Sequence, residues 1–301
     1  MIVTRKTVNQ KWKIRLVRRL CQISVLAILI GVPVYSQNPN NWSPSLIIHG
    51  HLPPPTMSRV TGDTWSFAIG DFHLTHPVAF VEVLLSTKEF HLPLFVSTLI
   101  PLGITLFFGR VFCSWLCPIG FLLELTMKVN SILRRMGLTY EVRIRDFRYV
   151  ILTLLLLYGF IFAFPMVSIF DPPHVLGREL IYLFTHQQLS LSGTVLLLLI
   201  IFFEIFFTPR AWCRSFCPSG GGLSLLGIKR LWRIRINPQN CISCKKCDGA
   251  CPYGLTPSNL AAHKGFDWAT CDNCGLCRDI CPTGAISYSY TLKSHQAAQM
   301  R

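Results

Sequence analysis

Charge is what this chain has least of. Only 14% of its 301 residues are Asp, Glu, Lys or Arg, against about 25% in an ordinary soluble domain. Acids are scarcer still: 14 Asp and Glu face 29 Lys and Arg, for a formal net charge of +15. With 51% hydrophobic residues and a mean hydropathy of +0.43, the composition argues against an ordinary soluble domain. The apolar residues are bunched in long runs instead of alternating with polar ones, so membrane spans explain them better than a large core.

Other absences narrow the field. No CxxCH motif occurs, which excludes covalent c-type haem attachment. There is no zinc-finger spacing and no basic stripe with interleaved aromatics, so nucleic acid is not a partner. The Lys and Arg residues sit in blocks beside apolar segments, where anionic lipid and the positive-inside rule place them. The first apolar run has no clear small-residue cleavage site and Pro33 interrupts its end, so it reads as an uncleaved helix, with a signal peptide as the alternative.

The hydrophobic runs predict four transmembrane helices, near 17–34, 92–112, 148–164 and 193–207. Charge orients them. Residues 1–19 hold seven Lys or Arg, 128–148 hold six and 210–235 hold six, whereas the loop 36–90 holds only Arg59 and Lys88, and 171–191 only Arg178. This alternation predicts a cytoplasmic N-terminus and C-terminal domain, with two outward loops. Glu204 lies inside the fourth run, where a carboxylate needs a reason: a proton path, a partner on another helix, or the interface.

The chain also repeats itself. FFGRVFCSWLCPIGFLL at 107–123 matches FFTPRAWCRSFCPSGGGL at 206–223, with Cys113 and Cys117 each one hundred positions before Cys213 and Cys217. Upstream of each copy a Pro-containing loop precedes a short apolar amphipathic stretch, at His76-Pro77 and at Asp171-Pro172. The repeat reads as parallel. Cysteines at i and i+4 share one helix face, and the following Pro stops or bends that helix.

Thirteen cysteines carry the strongest chemical signal. Cys21 stands alone. The last eight run Cys241-x2-Cys244-x2-Cys247-x3-Cys251-Pro, then Cys271-x2-Cys274-x2-Cys277-x3-Cys281-Pro. This duplicated spacing is that of bacterial two-cluster ferredoxins, in which the fourth Cys of each run serves the other cluster. It assigns one [4Fe-4S] cluster to Cys241, Cys244, Cys247 and Cys281, and a second to Cys271, Cys274, Cys277 and Cys251. A structural zinc site also uses four thiolates but does not ask for both Cys-Pro ends. Gly275 and Gly284 read as turn glycines beside the clusters. For Cys113, Cys117, Cys213 and Cys217 three readings stand: a joint metal or iron–sulfur site, redox disulfides, or packing of small residues. His49, His51, His73, His76, His91, His174 and His186 fall in the expected outward regions. Such polar residues suit a site where a quinol releases protons, although most read as ordinary loop histidines.

Together these residues resemble the NapH family of membrane-bound ferredoxin-type proteins. The resemblance covers nearly the whole chain. It is carried by RRLCQ at Arg18–Gln22, IIHG at Ile47–Gly50, FCSWLCP at Phe112–Pro118, WCRSFCP at Trp212–Pro218 and the two C-terminal cysteine runs. It implies a quinol dehydrogenase subunit of the periplasmic nitrate reductase system, with a periplasmic iron–sulfur partner resembling NapG and a cytochrome. It implies cluster-ligand roles for the eight C-terminal cysteines. Relatives with the same CxxxCP core serve nitrous oxide reductase and methylamine dehydrogenase maturation. This chain has Thr75-His76-Pro77 where the family usually has Thr-Asp-Pro.

The expected fold is an all-α polytopic domain of four transmembrane helices over 1–230, followed by a cytoplasmic ferredoxin-like domain over 231–301 that depends on its clusters. The expected location is the inner membrane. The expected function is oxidation of the membrane quinol pool and electron transfer through iron–sulfur clusters. The alternatives are an electron-transfer or maturation scaffold without a quinol site, and a membrane redox sensor.

Overall fold

The computed structural model describes residues 6–35, 60–62, 66–69, 72–140, 144–186, 188–262 and 264–290. His49 and His51 lie outside them. The chain forms two compact units. The first comprises residues 1–22, 104–116 and 224–301, the second 23–103 and 117–223.

In chain order the elements are α1 (Lys6–Tyr35), β1 (Val60–Gly62), β2 (Ser66–Ile69), β3 (Phe72–Thr75), α2 (Pro77–Thr87), α3 (Leu92–Phe108), α4 (Val111–Trp115), α5 (Pro118–Arg135), α6 (Arg148–Phe162), α7 (Val167–Phe170), α8 (Pro172–His186), α9 (Leu191–Phe206), a π-helical turn (Trp212–Phe216), α10 (Pro218–Gly227), β4 (Trp232–Ile236), α11 (Lys246–Gly249), α12 (Leu276–Ile280) and β5 (Ile286–Tyr290).

The four-span membrane domain is not what these helices form. Among the described residues no helix is long and apolar enough to cross a membrane. α3, α6 and α9 have 17, 15 and 16 residues. At about 1.5 Å per residue they reach roughly 22 to 26 Å, short of the roughly 30 Å hydrocarbon core. α1 is longer, with 30 residues, but Lys and Arg occupy its first half through Arg19. The apolar runs in the sequence are longer than the helices because backbone breaks cut them. Gly109, at φ 80°, follows α3, and Ala163, at φ 52°, ends α6. The sidedness read from charge rested on those spans. The all-α expectation also misses a three-stranded antiparallel meander, β1-β2-β3, in which Ser66 faces Thr75 and Val60 faces Ile69.

In the second unit α2 packs on α6, and α9 packs on α5 and α8. Val78, Ala79, Leu152 and Val167 form a small core there. Gly222 lets the chain close on it, since a Cβ at that position would meet Val78 Cγ2 at 2.4 Å. The internal repeat is visible as matched elements: α2, α3, α4 and α5 correspond to α8, α9, the π turn and α10. The first CxxxC segment is α-helical and the second π-helical. The second copy has one more residue between its FF pair and its cysteines, upstream of Arg210, while the CxxxC spacing is the same in both.

In the first unit β4 pairs antiparallel with β5, Trp232 opposite Tyr290 and Ile236 opposite Ile286. Ile234, Ile236, Leu260, Ala285, Ile286 and Cys277 make its buried core. The cysteine runs sit on this core.

Candidate iron–sulfur and redox sites

The two C-terminal runs have the same backbone. Left-handed residues occur at Ser243 and Lys245 in the first run and at Asn273 and Gly275 in the second, then at Gly254 and Gly284. Each pair is thirty positions apart. Alternating right- and left-handed residues turn successive N–H groups toward one concave side, which suits an anion. The amides serve sulfur. Tyr253 and Leu255 donate toward Cys251, and their counterparts Thr283 and Ala285 donate toward Cys281. Gly275 also has no room for a side chain, since a Cβ there would lie 2.9 Å from the Tyr288 hydroxyl.

Cys251, Cys271, Cys274 and Cys277 line one pocket with Ile234, Tyr253 and Phe266 around them. That pocket gathers three cysteines of the second run with the last cysteine of the first. Cys241, Cys247 and Cys281 pack against the shared core, whereas Cys244 is exposed on its loop. Among the described residues no three His, Cys, Asp or Glu side chains converge on one metal ion. A cubane does not need them to, because each of its four thiolates binds a different iron. The four-thiolate pocket, ringed by amide donors, fits an anionic iron–sulfur cluster.

Burial opposes thiolate formation here. It pushes the Cys251 thiol up to about 11 and raises Cys271, Cys274 and Cys277 as well. Burial would also raise Cys281, but the Thr283 hydroxyl and the amides of Ala285, Ile286 and Thr283 bring it below its ordinary value. Ligand formation at the buried pocket must therefore expel protons, and the metal supplies that driving force.

The start of the first CxxxC motif belongs to the same unit. Arg110 is fully buried and donates to Ala269 O (3.3 Å) and Thr270 O (3.5 Å). Ser114 Oγ donates to Asp272 O (3.1 Å), and Asn273 Nδ2 donates to Phe108 O (2.7 Å) and Trp232 O (3.0 Å). Gln22, the last residue of RRLCQ, donates to Ser114 O (2.8 Å). Arg110 also interacts with Cys113. Cys113 is thus tied through Arg110 and Ser114 to the loop that carries Cys271 and Cys274.

Cys117, Cys213 and Cys217 belong to the second unit. Cys117 and Cys217 adopt one conformation, φ −67°, ψ 117° and φ −63°, ψ 116°, each just before a Pro that opens a new helix. The Cys217 thiol donates to Asp171 Oδ1 at 3.7 Å and accepts from Gly220 N at 3.3 Å. Asp171 is 1% exposed and opens α8. Buried His174 follows on that helix, and buried Glu82, on α2, interacts electrostatically with His174 and Asp171. Glu82 Oε1 accepts from Ser168 N at 3.1 Å. Burial pushes its carboxyl up to about 7, against the pull of the Ser168 and Val167 amides and of His174.

Glu204 takes a structural place. Its carboxylate accepts the backbone amides of Arg210 and Trp212, the latter at 2.8 Å, and so pins the turn into the second CxxxC motif. Arg210 continues to Glu124 (3.2 Å) and Gly120 O (3.1 Å). His76 is likewise a cap: its Nδ1 accepts from Val78 N (3.3 Å), and burial lowers its ring to about 4. Of the remaining histidines, His73 lies in β3, His91 precedes α3 and His186 ends α8.

Glu82 and Arg230 are the residues that sequence reasoning passed over. A signal for Glu82 existed: it is a lone acid in the apolar stretch VAFVEVLL, as Glu204 is in its own run. Arg230 was hidden inside a basic block.

Comparison with known proteins agrees with these motifs. A family model described as a 4Fe-4S binding domain matches residues 90–136 and 190–235, the two stretches that bear the CxxxC pairs. A 4Fe-4S dicluster domain matches 240–286. An uncharacterised protein of Methanocaldococcus jannaschii, MJ0750, is 34% identical over 202 residues, 63% of this chain and 76% of that one. The ferredoxin-type protein NapH of Haemophilus influenzae is 28% identical over 284 residues, 90% and 88% of the two chains. The methylamine utilization ferredoxin-type protein MauN of Methylobacillus flagellatus is 28% identical over 288 residues, 91% and 89%. No solved structure matches.

Proposed function

This chain belongs to the NapH-type family of ferredoxin-type 4Fe-4S proteins, an iron–sulfur electron-transfer family, and on that premise we propose that it oxidises a quinol at a membrane surface and passes the electrons on. The observation that carries the reading is buried Asp171 against the Cys217 thiol, with buried Glu82 in electrostatic interaction with Asp171 and His174. Quinol oxidation releases two electrons and two protons. A site for it needs a proton acceptor next to an electron acceptor, shielded from bulk water. Glu82 titrates near neutral pH, so its carboxylate can take a proton from a quinol hydroxyl and release it again. Asp171 and His174 orient that transfer and keep charge near the thiol of Cys217.

The ligand sets proposed are Cys241, Cys244, Cys247 with Cys281, and Cys271, Cys274, Cys277 with Cys251, within a ferredoxin-like region over 231–301. When bound, each cluster stores one electron. The amide-lined backbone of the two runs holds the anionic charge and the hydrophobic core keeps water off it. The CxxxC pairs lie in the stretches matched to a 4Fe-4S binding family, which supports iron there as well. A periplasmic iron–sulfur protein resembling NapG and a cytochrome are the proposed acceptors, with nitrate reductase beyond them. Apolar side chains stand exposed on α3, α6 and α9, among them Leu99, Ile100, Leu154, Leu157, Leu198 and Leu199. Together with the net charge of +15 they suit an anionic lipid surface, where quinol resides.

The test is anaerobic quinol addition to the protein and to its Glu82→Gln variant. The account expects slower quinol-dependent reduction in the variant while dithionite reduces both alike. Equal quinol rates would contradict it. A second reading, an electron-transfer scaffold without its own quinol site, draws on the MauN relative, which is as similar as the NapH one. Dithionite-only reduction of the wild type would favour that reading.

A further inference from the structure

Arg230 is 0% exposed, yet among the described residues no carboxylate forms an ion pair with it. Its Nε donates to Gly227 O at 3.0 Å and one terminal nitrogen to Trp268 O, both uncharged acceptors. Nη1 has no hydrogen-bond partner. A buried guanidinium on which Asp272 acts only without an ion pair is costly and calls for a closer anion. The chain has made a place for it: Gly109, at φ 80°, lies so close that a Cβ there would sit 2.5 Å from three guanidinium atoms. Arg230 is felt most by Cys271, and Arg110 acts on the same sulfur. Arg18, also buried, acts on Cys274. Only Asp272 opposes these cations within the loop. Among the described residues the other run has no such cage. Lys245 and Lys246 are exposed, and its near charge on Cys247 is the acid Asp248.

We propose that Arg230 is the buried counter-charge of the cluster held by Cys251, Cys271, Cys274 and Cys277, and that it raises the reduction potential of that cluster alone. This rests on the two-cluster reading of the C-terminal runs. Uptake of one electron makes a thiolate-ligated cluster more negative by one unit and breaks no bond. A fixed cation in a low-dielectric site favours the reduced form, while a charge screened by solvent does so weakly. The cluster beside Arg230 is therefore the one that electrons fill first.

The experiment is a mediator-poised EPR titration of the full chain, purified anaerobically, with iron and sulfide counted on the same samples. Arg230→Gln removes the charge, and Arg230→Lys keeps it. Arg230→Gln is expected to lower the midpoint of one of two cluster signals, leave the other unchanged, and leave iron content at the wild-type level. Arg230→Lys is expected to restore most of the shift. Loss of about four irons in Arg230→Gln but not in Arg230→Lys also supports the assignment, since the charge then holds the anion in place. Unchanged midpoints, equal shifts in both signals, or equal damage by both variants would overturn it. A wild type lacking two cluster signals fails the two-cluster reading instead, and is recognised before any variant is compared.

Discussion

The Cys217 thiol stands 3.7 Å from Asp171 Oδ1, a carboxylate forty-six residues earlier in the chain. The charge pattern assigns those two residues to opposite sides of a bilayer. The structure instead makes them neighbours, because α8 folds back against α9 rather than marking a distant loop. A sulfur that can ligate an electron-accepting iron–sulfur group and a buried carboxylate thereby share one place in the second unit, as a proton-coupled electron site requires.

Glu82 should give quinol-dependent reduction a pH profile. Its carboxyl titrates near 7, so the rate is expected to rise as pH increases through that value and the base form appears. Glu82→Gln should flatten the profile. The same shift has a stability sign. A carboxyl raised above its unfolded value of 4.5 contributes stability that is full below about 4.5 and is lost as pH rises to about 7. Thermal unfolding of the variant should lose that decline.

Crossed ligation predicts which cluster each last cysteine serves. Cys251→Ser should impair the cluster of Cys271, Cys274 and Cys277, and Cys281→Ser the one of Cys241, Cys244 and Cys247. Mössbauer and EPR spectra of the two variants should therefore differ by which signal is lost. Loss of the signal belonging to each cysteine's own run would refute the crossing.

The likeness of the two cysteine runs was legible in the sequence, because their CxxC spacing is duplicated and gives both the same loop length. The matching left-handed residues at Ser243, Lys245, Asn273 and Gly275 follow from that spacing. Membrane spans were not legible. Hydrophobic runs measure composition, whereas a span needs unbroken helix, and Gly109 and Ala163 break it. The partners of Asp171 and Glu204 were hidden for another reason. They depend on side chains brought together from distant segments, and no local pattern encodes them.

Glu204 should matter for stability rather than turnover. Its carboxylate accepts two backbone amides, and Gln keeps one acceptor while turning a donor toward the other. Glu204→Gln is expected to cost about 1–3 kcal/mol, the range for an unsatisfied buried polar group. Denaturant midpoints check this. An unchanged midpoint would remove the capping role.

Gly109→Ala tests the fit around Arg230. The new Cβ meets the guanidinium and takes a left-handed φ, which itself costs roughly 1–2 kcal/mol. The melting temperature is expected to fall, and the signal of the cluster nearest Arg230 to change. A variant as stable as the wild type with both signals intact would show that the guanidinium has room to move.

The most direct test of electron entry from quinol is EPR of the anaerobically purified chain in anionic liposomes, frozen before and after quinol is added. The account predicts that a reduced [4Fe-4S] signal appears with quinol alone and grows further with dithionite. Clusters that dithionite reduces and excess quinol leaves fully oxidised would contradict it.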